Sequence, residues 1–443
     1  MNKKLGTSHL AAIIRRVKYQ LDLNFIKISF FTGLATFVRI VAAFVSVKIV
    51  AIIIGPVGIA LLGQLNNFKS IGLSFASGGI NTGVVKYTAE YSKRPMYLIS
   101  YISTAFRITL AASVVTGIII LFFSDHISLY ILDDKQYDYV FQIFGVTIIL
   151  YTINNLILSI LNGLKEFKKF IIIGIISSII GLIFSVTLVV LWGISGALIA
   201  TVTYASVIFI ITLILIIKLE WLKLSLLWNN FNSNVLQKLS KYSLMAFASA
   251  LTVPISQLLI RSYLINQLSS QDAGMWEAMN RISGVYLMMI TSVLNIYYLP
   301  RFSELKNRSE FRSEIFNAYK TIVPIVLIAS LFIYFLRSYI VGLVFSAEFA
   351  KMESLFFYQL LGDCFKAVSW MLAIQMQAQA MARLFIITEV IFSLSFVGLG
   401  VLFTELYGFI GPSIAYSINY SMYFILLIFI FRKILFFTTF EKE

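Results

Sequence analysis

Two opposite charges interrupt an apolar segment of the chain at residues 362–366, whose sequence is Gly-Asp-Cys-Phe-Lys. The carboxylate of Asp363 and the ammonium of Lys366 are three residues apart, so a helix would place them on one face. Placing either charge at the centre of a bilayer costs about 3 kcal/mol on insertion scales. A chain that keeps both charges in such a segment is expected to use them in a polar cavity.

Ionisable residues also interrupt several other apolar segments, and most of them are basic. These residues are Arg39, Lys48, Lys69, Arg107, Arg261, Glu277, Arg281 and Glu389. The pattern predicts a membrane bundle whose interior is mostly cationic. Guanidinium and ammonium groups in a medium of low dielectric constant bind anions strongly. We therefore expect the embedded cations to line one shared chamber that handles an anion.

The acidic residues suggest a second role, which is coupling to an ion. Glu277 and Arg281 have helical i,i+4 spacing, whereas Glu389 has no basic neighbour on its own helix. Asp363, Glu277 and Glu389 are therefore candidates for engaging H+ or Na+ during transport. The alternative is that the Glu277–Arg281 and Asp363–Lys366 pairs are fixed ion pairs that only neutralise charge.

Composition places the chain in a membrane. Of its 443 residues, 59% are hydrophobic and 12% are charged, and the mean hydropathy is +0.90. Soluble domains carry about 25% charged residues, so the class is an all-α polytopic membrane protein. A net charge of +15 would suggest nucleic acid in a soluble protein. Here it indicates a positive-inside bias, and no nucleic-acid partner is expected.

Apolar runs of about 20 residues mark membrane spans. Twelve are predicted, at residues 30–54, 58–84, 101–123, 139–163, 170–192, 194–217, 242–265, 275–299, 320–345, 355–380, 383–403 and 407–431. Basic loops alternate with acidic or nearly uncharged loops along this series. By the positive-inside rule, the alternation predicts a multi-pass protein with both termini in the cytoplasm.

The spans divide into two halves of six. We predict a basic amphipathic segment at 1–29, a six-helix bundle at 30–217, a cytoplasmic connection at 218–241, a second bundle at 242–431 and a cytoplasmic tail at 432–443. Each half opens with a helix that carries a cation near its end, Lys48 or Arg261, followed by a short turn with glycine and a polar helix. This weak repeat predicts two parallel six-helix bundles around a central cavity.

Two prolines are hinge candidates, and signs of catalysis are missing. Pro254 and Pro324 interrupt the seventh and ninth spans, where proline weakens the backbone hydrogen-bond ladder. The sequence has no phosphate-binding glycine loop and no paired-histidine metal motif. We therefore predict no catalytic residue, no metal and no cofactor.

Several sequence blocks occur in a characteristic order along the chain. They are Gly55-Pro56-Val57-Gly58, Val85-Lys86-Tyr87-Thr88-Ala89-Glu90-Tyr91, Lys241-Tyr242-Ser243-Leu244-Met245-Ala246, Val253-Pro254, Gly274-Met275-Trp276, Tyr298-Leu299-Pro300, Gln359-Leu360-Leu361-Gly362-Asp363 with Lys366, and Glu389-Val390. Together they resemble the polysaccharide-translocase family, the O-antigen and enterobacterial-common-antigen flippases. That family belongs to the multidrug/oligosaccharidyl-lipid/polysaccharide exporter superfamily.

The resemblance implies a substrate and a location. A family member is expected to flip an undecaprenyl-pyrophosphate-linked oligosaccharide, of the O-antigen repeat-unit type, from the cytoplasmic to the periplasmic leaflet of the bacterial inner membrane. Membrane lipid, a coupling H+ or Na+, a polysaccharide polymerase and a chain-length regulator are the expected partners. Because cationic side chains bind pyrophosphate, the substrate-binding candidates are Arg39, Lys48, Lys86, Arg261, Arg281 and Lys366.

Two alternatives stay open at this point. One is a cation-coupled drug or small-molecule antiporter of the same superfamily, which would favour a carboxylate-rich binding site. The other is an integral-membrane polysaccharide polymerase, which would need a large outer loop carrying catalytic charges. The basic interior and the short loops of this sequence favour the flippase over both.

Overall fold

The chain is almost entirely helical. The computed structural model describes residues 4–92, 94–216, 232–294, 298, 301–302, 308–379 and 381–436, with most side chains from residue 34 onward, and no strand occurs in these ranges. The α-helices are α1 Lys4–Ala76, α2 Asn81–Tyr91, α3 Pro95–Phe122, α4 Ser124–Leu132, α5 Asp138–Gly163, α6 Phe167–Ile216, α7 Ser233–Gln267, α8 Ser270–Val293, α9 Arg308–Phe335, α10 Arg337–Val344, α11 Phe356–Ala378, α12 Ala382–Tyr407, α13 Gly411–Ile430 and α14 Arg432–Leu435. Short 3-10 turns occupy Lys135–Tyr137, Ala347–Leu355 and Gly408–Ile410.

Three glycines reverse the chain direction at one end of the bundle. Gly55 has φ 63° within α1, Gly193 has φ 57° within α6, and Gly408 has φ 61° between α12 and α13. Side chains disfavour this left-handed region, so glycine is the residue suited to it. Each reversal splits a long helical stretch into two arms. We call this end of the bundle the turn face, and the opposite end, which carries Arg94, Lys165 and Arg383, the basic face.

The helices account for all twelve predicted spans. Seven stretches among the described residues are long and apolar enough to cross a membrane, and three of them contain a glycine reversal and so hold two predicted spans each. The two remaining predicted spans, 275–299 and 355–380, correspond to α8 and α11. These helices carry buried polar residues, among them Glu277 and Asp363. The polytopic helical class is therefore confirmed.

Some predicted boundaries differ from the observed helices. α1 runs without interruption from Lys4 into the first span, so the segment predicted at 1–29 is helical from Lys4 onward. α7 begins at Ser233, ahead of the boundary predicted at residue 242. Residues 217–231 and 437–443 lie outside the described residues, so most of the predicted connection and most of the predicted tail do as well.

The predicted hinge prolines lie inside continuous helices. α7 extends through Pro254, and α9 extends through Pro324. The breaks occur at glycines instead, including Gly78 and Gly79, whose φ values of 64° and 65° separate α1 from α2. Proline removes one backbone hydrogen bond but keeps a helical φ, whereas a positive φ changes the direction of the chain.

The two halves share an apolar core toward the turn face. One cluster joins Leu65 of α1 and Phe144 of α5 to Trp276 of α8 and Phe349 of the second 3-10 turn. Toward the basic face the buried apolar residues form separate clusters. One contains Ile80 and Tyr101 and is completed by Val235 at the start of α7. Another contains Leu287, Phe311, Met371 and Tyr423 of the second half. The halves are thus joined more extensively at the turn face.

Backbone contact reinforces this junction. A Cβ atom added to Gly274, at the start of α8, would overlap the carbonyl oxygen of Pro56 in α1. Beside it, Lys351 Nζ lies 2.5 Å from Asp272 Oδ1. The turn between the first two spans therefore packs directly on the turn between the seventh and eighth, and a glycine permits the approach.

We predict that Gly274→Ala destabilises the protein, whereas Gly284→Ala on the same helix does not. Both substitutions improve helix propensity by up to about 1 kcal/mol, but only the first places a methyl group against Pro56, since Gly284 has no atom within 4 Å of an added Cβ. Overpacking costs about 1–3 kcal/mol. Thermal unfolding of both variants in detergent measures the difference, and equal midpoints would contradict the contact.

Candidate functional site: a charged cluster between the two halves

A buried arginine lies where the two halves meet. Arg261 of α7 is 0% exposed, and its Nη2 forms an ion pair with the carboxylate of Glu277 on α8. Its Nη1 donates a hydrogen bond to Gln64 Oε1 on the second arm of α1 at 3.1 Å. Gln64 in turn donates from Nε2 to Ser262 Oγ at 2.9 Å. These bonds link the first half to both α7 and α8.

Two guanidinium groups share the single carboxylate of Glu277. Arg281, one helical turn further along α8, donates from Nε to Glu277 Oε1 at 3.2 Å. The spacing of Glu277 and Arg281 therefore does bring the two side chains together. We call Arg261, Glu277 and Arg281 the interface cluster. With all three groups ionised, the cluster carries a net charge of +1.

The interface cluster has donors that no described residue uses. Arg261 Nε and Arg281 Nη2 are buried and donate no hydrogen bond to a described residue. Unsatisfied buried donors are costly, about 1–3 kcal/mol each and more when charged. Two such donors beside an excess positive charge are suited to bind an anion.

A glycine makes room for the cluster. A Cβ added to Gly63 would lie 2.8 Å from Arg261 Cζ and 2.8 Å from Glu277 Cδ. Gly63 therefore lets the second arm of α1 pass directly over the ion pair. The aromatic face of Trp276 supplies further contact, with the Arg261 guanidinium 5.7 Å from the ring centroid.

Lys69 adds another cation near the interface. It is 8% exposed, donates from Nζ to the Thr201 carbonyl oxygen at 3.0 Å, and lies 5.5 Å from the centre of the Tyr204 ring. It is also close enough to Arg281 for their charges to repel. Lys69 occupies an apolar span, which marked it as unusual, but the sequence alone gave no tertiary partner for it.

Asp363 is buried among hydroxyl groups. It is 0% exposed and accepts hydrogen bonds from Ser283 Oγ at 2.6 Å, Tyr286 Oη at 2.5 Å and Tyr416 Oη at 2.8 Å. These donors come from α8 and α13, so the carboxylate ties α11 to both helices. Gly362 makes this possible, because a side chain there would collide with the ring of Tyr416.

Lys366 does not form an ion pair with Asp363 within 4 Å in the described part of the chain. Its ammonium lies among three aromatic rings instead, 5.1 Å from Trp370, 5.3 Å from Tyr416 and 5.0 Å from Tyr420. Helical spacing brings the two residues to one side of α11, but the hydroxyls around Asp363 take its hydrogen bonds. Instead of forming the predicted pair, both side chains contact Tyr416, whose hydroxyl donates to Asp363 and whose ring lies near the Lys366 ammonium.

Lys366 and Glu389 line a small cavity of about 60 Å³ inside the second half. Helices α7, α11, α12 and α13 enclose it, and Asn419 and Tyr420 complete its polar wall. Glu389 Oε2 accepts a long hydrogen bond of 3.4 Å from Thr252 Oγ1. This C-half cavity is separate from the interface cluster.

The remaining predicted cations lie elsewhere. Arg39 lines a larger cavity inside the first half, Lys48 is exposed nine residues further along α1, and Lys86 is exposed on α2. Nine residues rotate a helix by about half a turn, which places Arg39 and Lys48 on different sides. The expectation of one shared chamber is thus wrong for the full set: Arg261, Glu277 and Arg281 come together between the halves, and Lys366 and Glu389 come together in the C-half cavity.

Sequence reasoning missed the neutral residues that hold these charges. Gln64, Ser283, Tyr286 and Tyr416 supply hydrogen bonds from other helices, and Gly63 supplies space. The available signal was weak: Gln64 is one of several polar residues in an apolar span. Partners that are distant along the chain cannot be read from helical spacing.

Comparison with known proteins identifies the family. The profile of the family described as "Polysaccharide biosynthesis protein" matches residues 49–354, well over half of the chain. The chain belongs to this polysaccharide biosynthesis protein family. The interface cluster lies within the matched residues, whereas Lys366 and Glu389 lie beyond them. The resemblance noted in the sequence is therefore confirmed at the level of the family.

Individual relatives agree with this assignment. The chain is 28% identical over 399 residues to the Lipid III flippase of Escherichia coli (strain K12), covering 90% of this chain and 96% of the relative. The Lipid III flippase of Shigella flexneri matches with the same identity and coverage. Both relatives are flippases that match the chain over nearly its whole length, in agreement with the family assignment.

Solved structures show the same fold at low sequence identity. An inward-facing multidrug resistance MATE transporter of the MOP superfamily superposes with a TM-score of 0.72 and 14% identity, over 91% of this chain and all of the other. Lipid II flippase MurJ in an inward closed conformation gives 0.67 and 16%, over 94% of each chain. The family member therefore has the fold of this transporter superfamily.

We predict that Glu277→Gln destabilises the protein more than Arg281→Gln. The first change leaves Arg261 buried without an ionic partner, which typically costs about 3–5 kcal/mol. The second leaves the Arg261–Glu277 pair intact and removes a side chain that is only partly buried. Thermal unfolding in one detergent compares the two variants. A larger loss for Arg281→Gln would show that Arg261 does not depend on Glu277.

Proposed function

We propose that the chain flips a lipid-linked oligosaccharide, carried on undecaprenyl pyrophosphate, from the cytoplasmic to the periplasmic leaflet. The single observation that carries the substrate class is the interface cluster, where two guanidiniums share one carboxylate and retain buried, unused donors. Arginine binds pyrophosphate oxygens through paired N–H groups. The Lipid III flippase relatives support this substrate class, since they match nearly the whole chain.

Alternating access suits this arrangement. The halves share a large core toward the turn face, whereas toward the basic face the second half has a core of its own and the halves meet in a smaller cluster that includes Val235 of α7. A pyrophosphate entering between the halves from the basic face would reach the interface cluster at the end of the open path. Binding there neutralises the excess positive charge and competes with the Gln64 bond that joins the halves. Opening toward the turn face would then follow.

The charge at the interface favours this function over a cation-coupled drug antiporter. Such an antiporter needs carboxylates where its cationic substrate binds, whereas the interface holds Arg261, Arg281 and the neighbouring Lys69 against Glu277 alone. An excess of cations repels a cationic drug and attracts a pyrophosphate. The polymerase alternative is not favoured, because the relatives are flippases.

Ion coupling is part of the proposal. We assign it to Asp363, Glu277 and Glu389, of which Glu389 is the most suitable candidate because it lines a cavity and has a single long hydrogen bond to the described residues. One charge moving through 100 mV gives about 2.3 kcal/mol, enough to bias a conformational cycle. Pro254 and Pro324 stay candidate hinges, where a missing backbone bond lets α7 and α9 bend.

The location and the remaining partners follow from the substrate. An undecaprenyl-linked oligosaccharide is assembled at the cytoplasmic leaflet, so the protein belongs in the bacterial inner membrane with both termini cytoplasmic. The basic face would then face the cytoplasm, in agreement with the positive-inside rule. A polysaccharide polymerase and a chain-length regulator would receive the flipped substrate.

We predict that Arg281→Gln slows flipping at least tenfold in proteoliposomes. The variant removes one of two guanidiniums from the interface cluster but keeps the buried Arg261–Glu277 pair, so folding is preserved. Exposure of a labelled lipid-linked oligosaccharide to an outer-leaflet lectin measures the rate. Arg383→Gln, an exposed change on the basic face, serves as the matched control. A wild-type protein that exports a cationic dye but does not flip the lipid would overturn the function.

We predict that Glu389→Gln removes the dependence of flipping on an imposed H+ or Na+ gradient. The amide keeps the shape of the side chain and its bond to Thr252 but cannot take up a proton or bind a cation as a carboxylate does. The measurement is the ratio of rates with and without the gradient. A ratio equal to that of the wild type would exclude Glu389 from coupling.

A further inference from the structure

A second polar cavity lies entirely within the first half. Its volume is about 430 Å³, and it is lined by the first arm of α1, the first arm of α6, Leu158 of α5 and Tyr204 on the second arm of α6. Its polar residues include Arg39, Ser46, Ser177 and Ser185. We call it the N-half cavity. It is distinct from the interface cluster and from the C-half cavity.

The helix faces around the N-half cavity carry small residues but do not pack against each other. α1 presents Ala42, Ala43 and Ser46 at helical spacing, and α6 presents Gly174 and Gly181. Faces of small residues in membrane helices normally bring the backbones into close contact. Here they remain apart and leave an open cavity between them. An occupant therefore explains the small residues better than helix packing does.

Arg39 gives this cavity its charge. It is exposed, it is absent from every ion pair and hydrogen bond found among the described residues, and its Nη2 lies 3.7 Å from an added Cβ on Gly174, at the cavity wall. No carboxylate lines the cavity in the described part of the chain. An unpaired guanidinium in a membrane span is costly unless an anion or water accompanies it.

Hydroxyl groups provide further donors. The side chains of Ser46, Ser177 and Ser185 line the cavity and donate no hydrogen bond to another described residue, while Ser178 donates to the Gly174 carbonyl oxygen at 2.8 Å. The lining of α6 runs from Phe170 to Ser185, about 22 Å of helix. The cavity is therefore longer than one phosphate and leaves room for the group attached to it.

The N-half cavity adjoins the interface through one aromatic side chain. Tyr204 lines the cavity, and Lys69 lies over the same ring at 5.5 Å. Lys69 is in turn close enough to Arg281 for the two positive charges to repel each other. Cations thus lie in succession from Arg39 past Tyr204 to Lys69 and the interface cluster. An anion leaving Arg39 would meet another cation on the way to the interface.

We propose that the N-half cavity is a separate phosphate-binding site, in which Arg39 and the serine hydroxyls hold the phosphate of a lipid. Taking the lipid to be the transported substrate rests on the proposed function, and in that case the cavity holds the pyrophosphate before it reaches the interface cluster. An anionic phospholipid headgroup presents the same chemistry. The site itself depends on the cavity, on its hydroxyls and on a guanidinium that pairs with no described residue.

The test measures binding of farnesyl pyrophosphate to the full chain in phosphatidylcholine nanodiscs. We expect Arg39→Gln and Gly181→Leu each to weaken binding at least tenfold, the first by removing charge and the second by filling the cavity. The double change Ser177→Ala and Ser185→Ala, which preserves the shape, should weaken it to a smaller extent. Arg383→Gln and Gly398→Leu are the matched controls, since Arg383 is exposed and Gly398 has no atom within 4 Å of an added Cβ.

Competition identifies the source of the phosphate. If phosphatidylglycerol in the nanodisc weakens farnesyl pyrophosphate binding to the wild type but not the residual binding to Arg39→Gln, the site also takes phospholipid headgroups. If it has no effect, the site is selective for the pyrophosphate lipid. Both results support a phosphate site. The phosphate site is ruled out if the wild type does not bind farnesyl pyrophosphate, or if Arg39→Gln and Gly181→Leu bind it as tightly as the wild type does.

Flipping assays on the same proteins separate this inference from the proposed function. One outcome is that the wild type flips the oligosaccharide and that both cavity variants keep wild-type binding and wild-type flipping rates. This outcome would support the proposed function and rule out the N-half site. Failure of the wild type to flip the oligosaccharide, combined with Arg39-dependent binding of farnesyl pyrophosphate, would remove the function and keep the site.

Discussion

The interface depends on how Arg261 is kept charged in a buried position. Its carboxylate partner, Glu277, belongs to the same half of the protein, whereas its partner across the interface is the neutral amide of Gln64. Separating the halves therefore breaks hydrogen bonds to an amide and leaves the ion pair together. Removing one member of a buried ion pair costs about 3–5 kcal/mol, while a neutral hydrogen bond contributes about 0.5–1.5 kcal/mol. This placement allows the interface to open without isolating a charge.

The contact between the halves is more extensive toward one face. Toward the turn face, a shared apolar core, the Gly274–Pro56 contact and the bonds of Gln64 join the halves. Toward the basic face, α8, α9, α11 and α13 have a core of their own. Each half can therefore keep most of its packing while the shared surface changes. A transporter that rocks two bundles requires this division between stable cores and one separable surface.

The sequence was informative where neighbours on one helix decide the structure. The i,i+4 spacing of Glu277 and Arg281 brought them into contact, and apolar runs located the spans. Asp363 and Lys366 show the limit. Their spacing predicts a pair, but Ser283, Tyr286 and Tyr416 arrive from other helices and surround the carboxylate with donors. Tertiary partners decided the outcome, and no local pattern specifies them.

Backbone direction shows the same limit in another form. Proline is the more visible signal, yet α7 and α9 continue through Pro254 and Pro324. Gly55 and Gly193 instead reverse the chain, because their φ angles are positive. Glycine is common in membrane helices for packing as well as for turning. Its role at a given position is therefore settled by the surrounding helices.

The internal repeat has a counterpart in the two cavities. The N-half cavity lies among the first, fourth, fifth and sixth spans, and the C-half cavity lies among the seventh, tenth, eleventh and twelfth. The positions correspond between the halves, but the chemistry differs. Among the described residues, one cavity holds Arg39 with hydroxyls and no carboxylate, whereas the other holds Lys366 together with Glu389. A shared scaffold thus supplies an unbalanced positive charge in one half and a balanced pair in the other. Only the unbalanced cavity gains electrostatic energy by admitting an anion, so duplicated helices need not imply duplicated function.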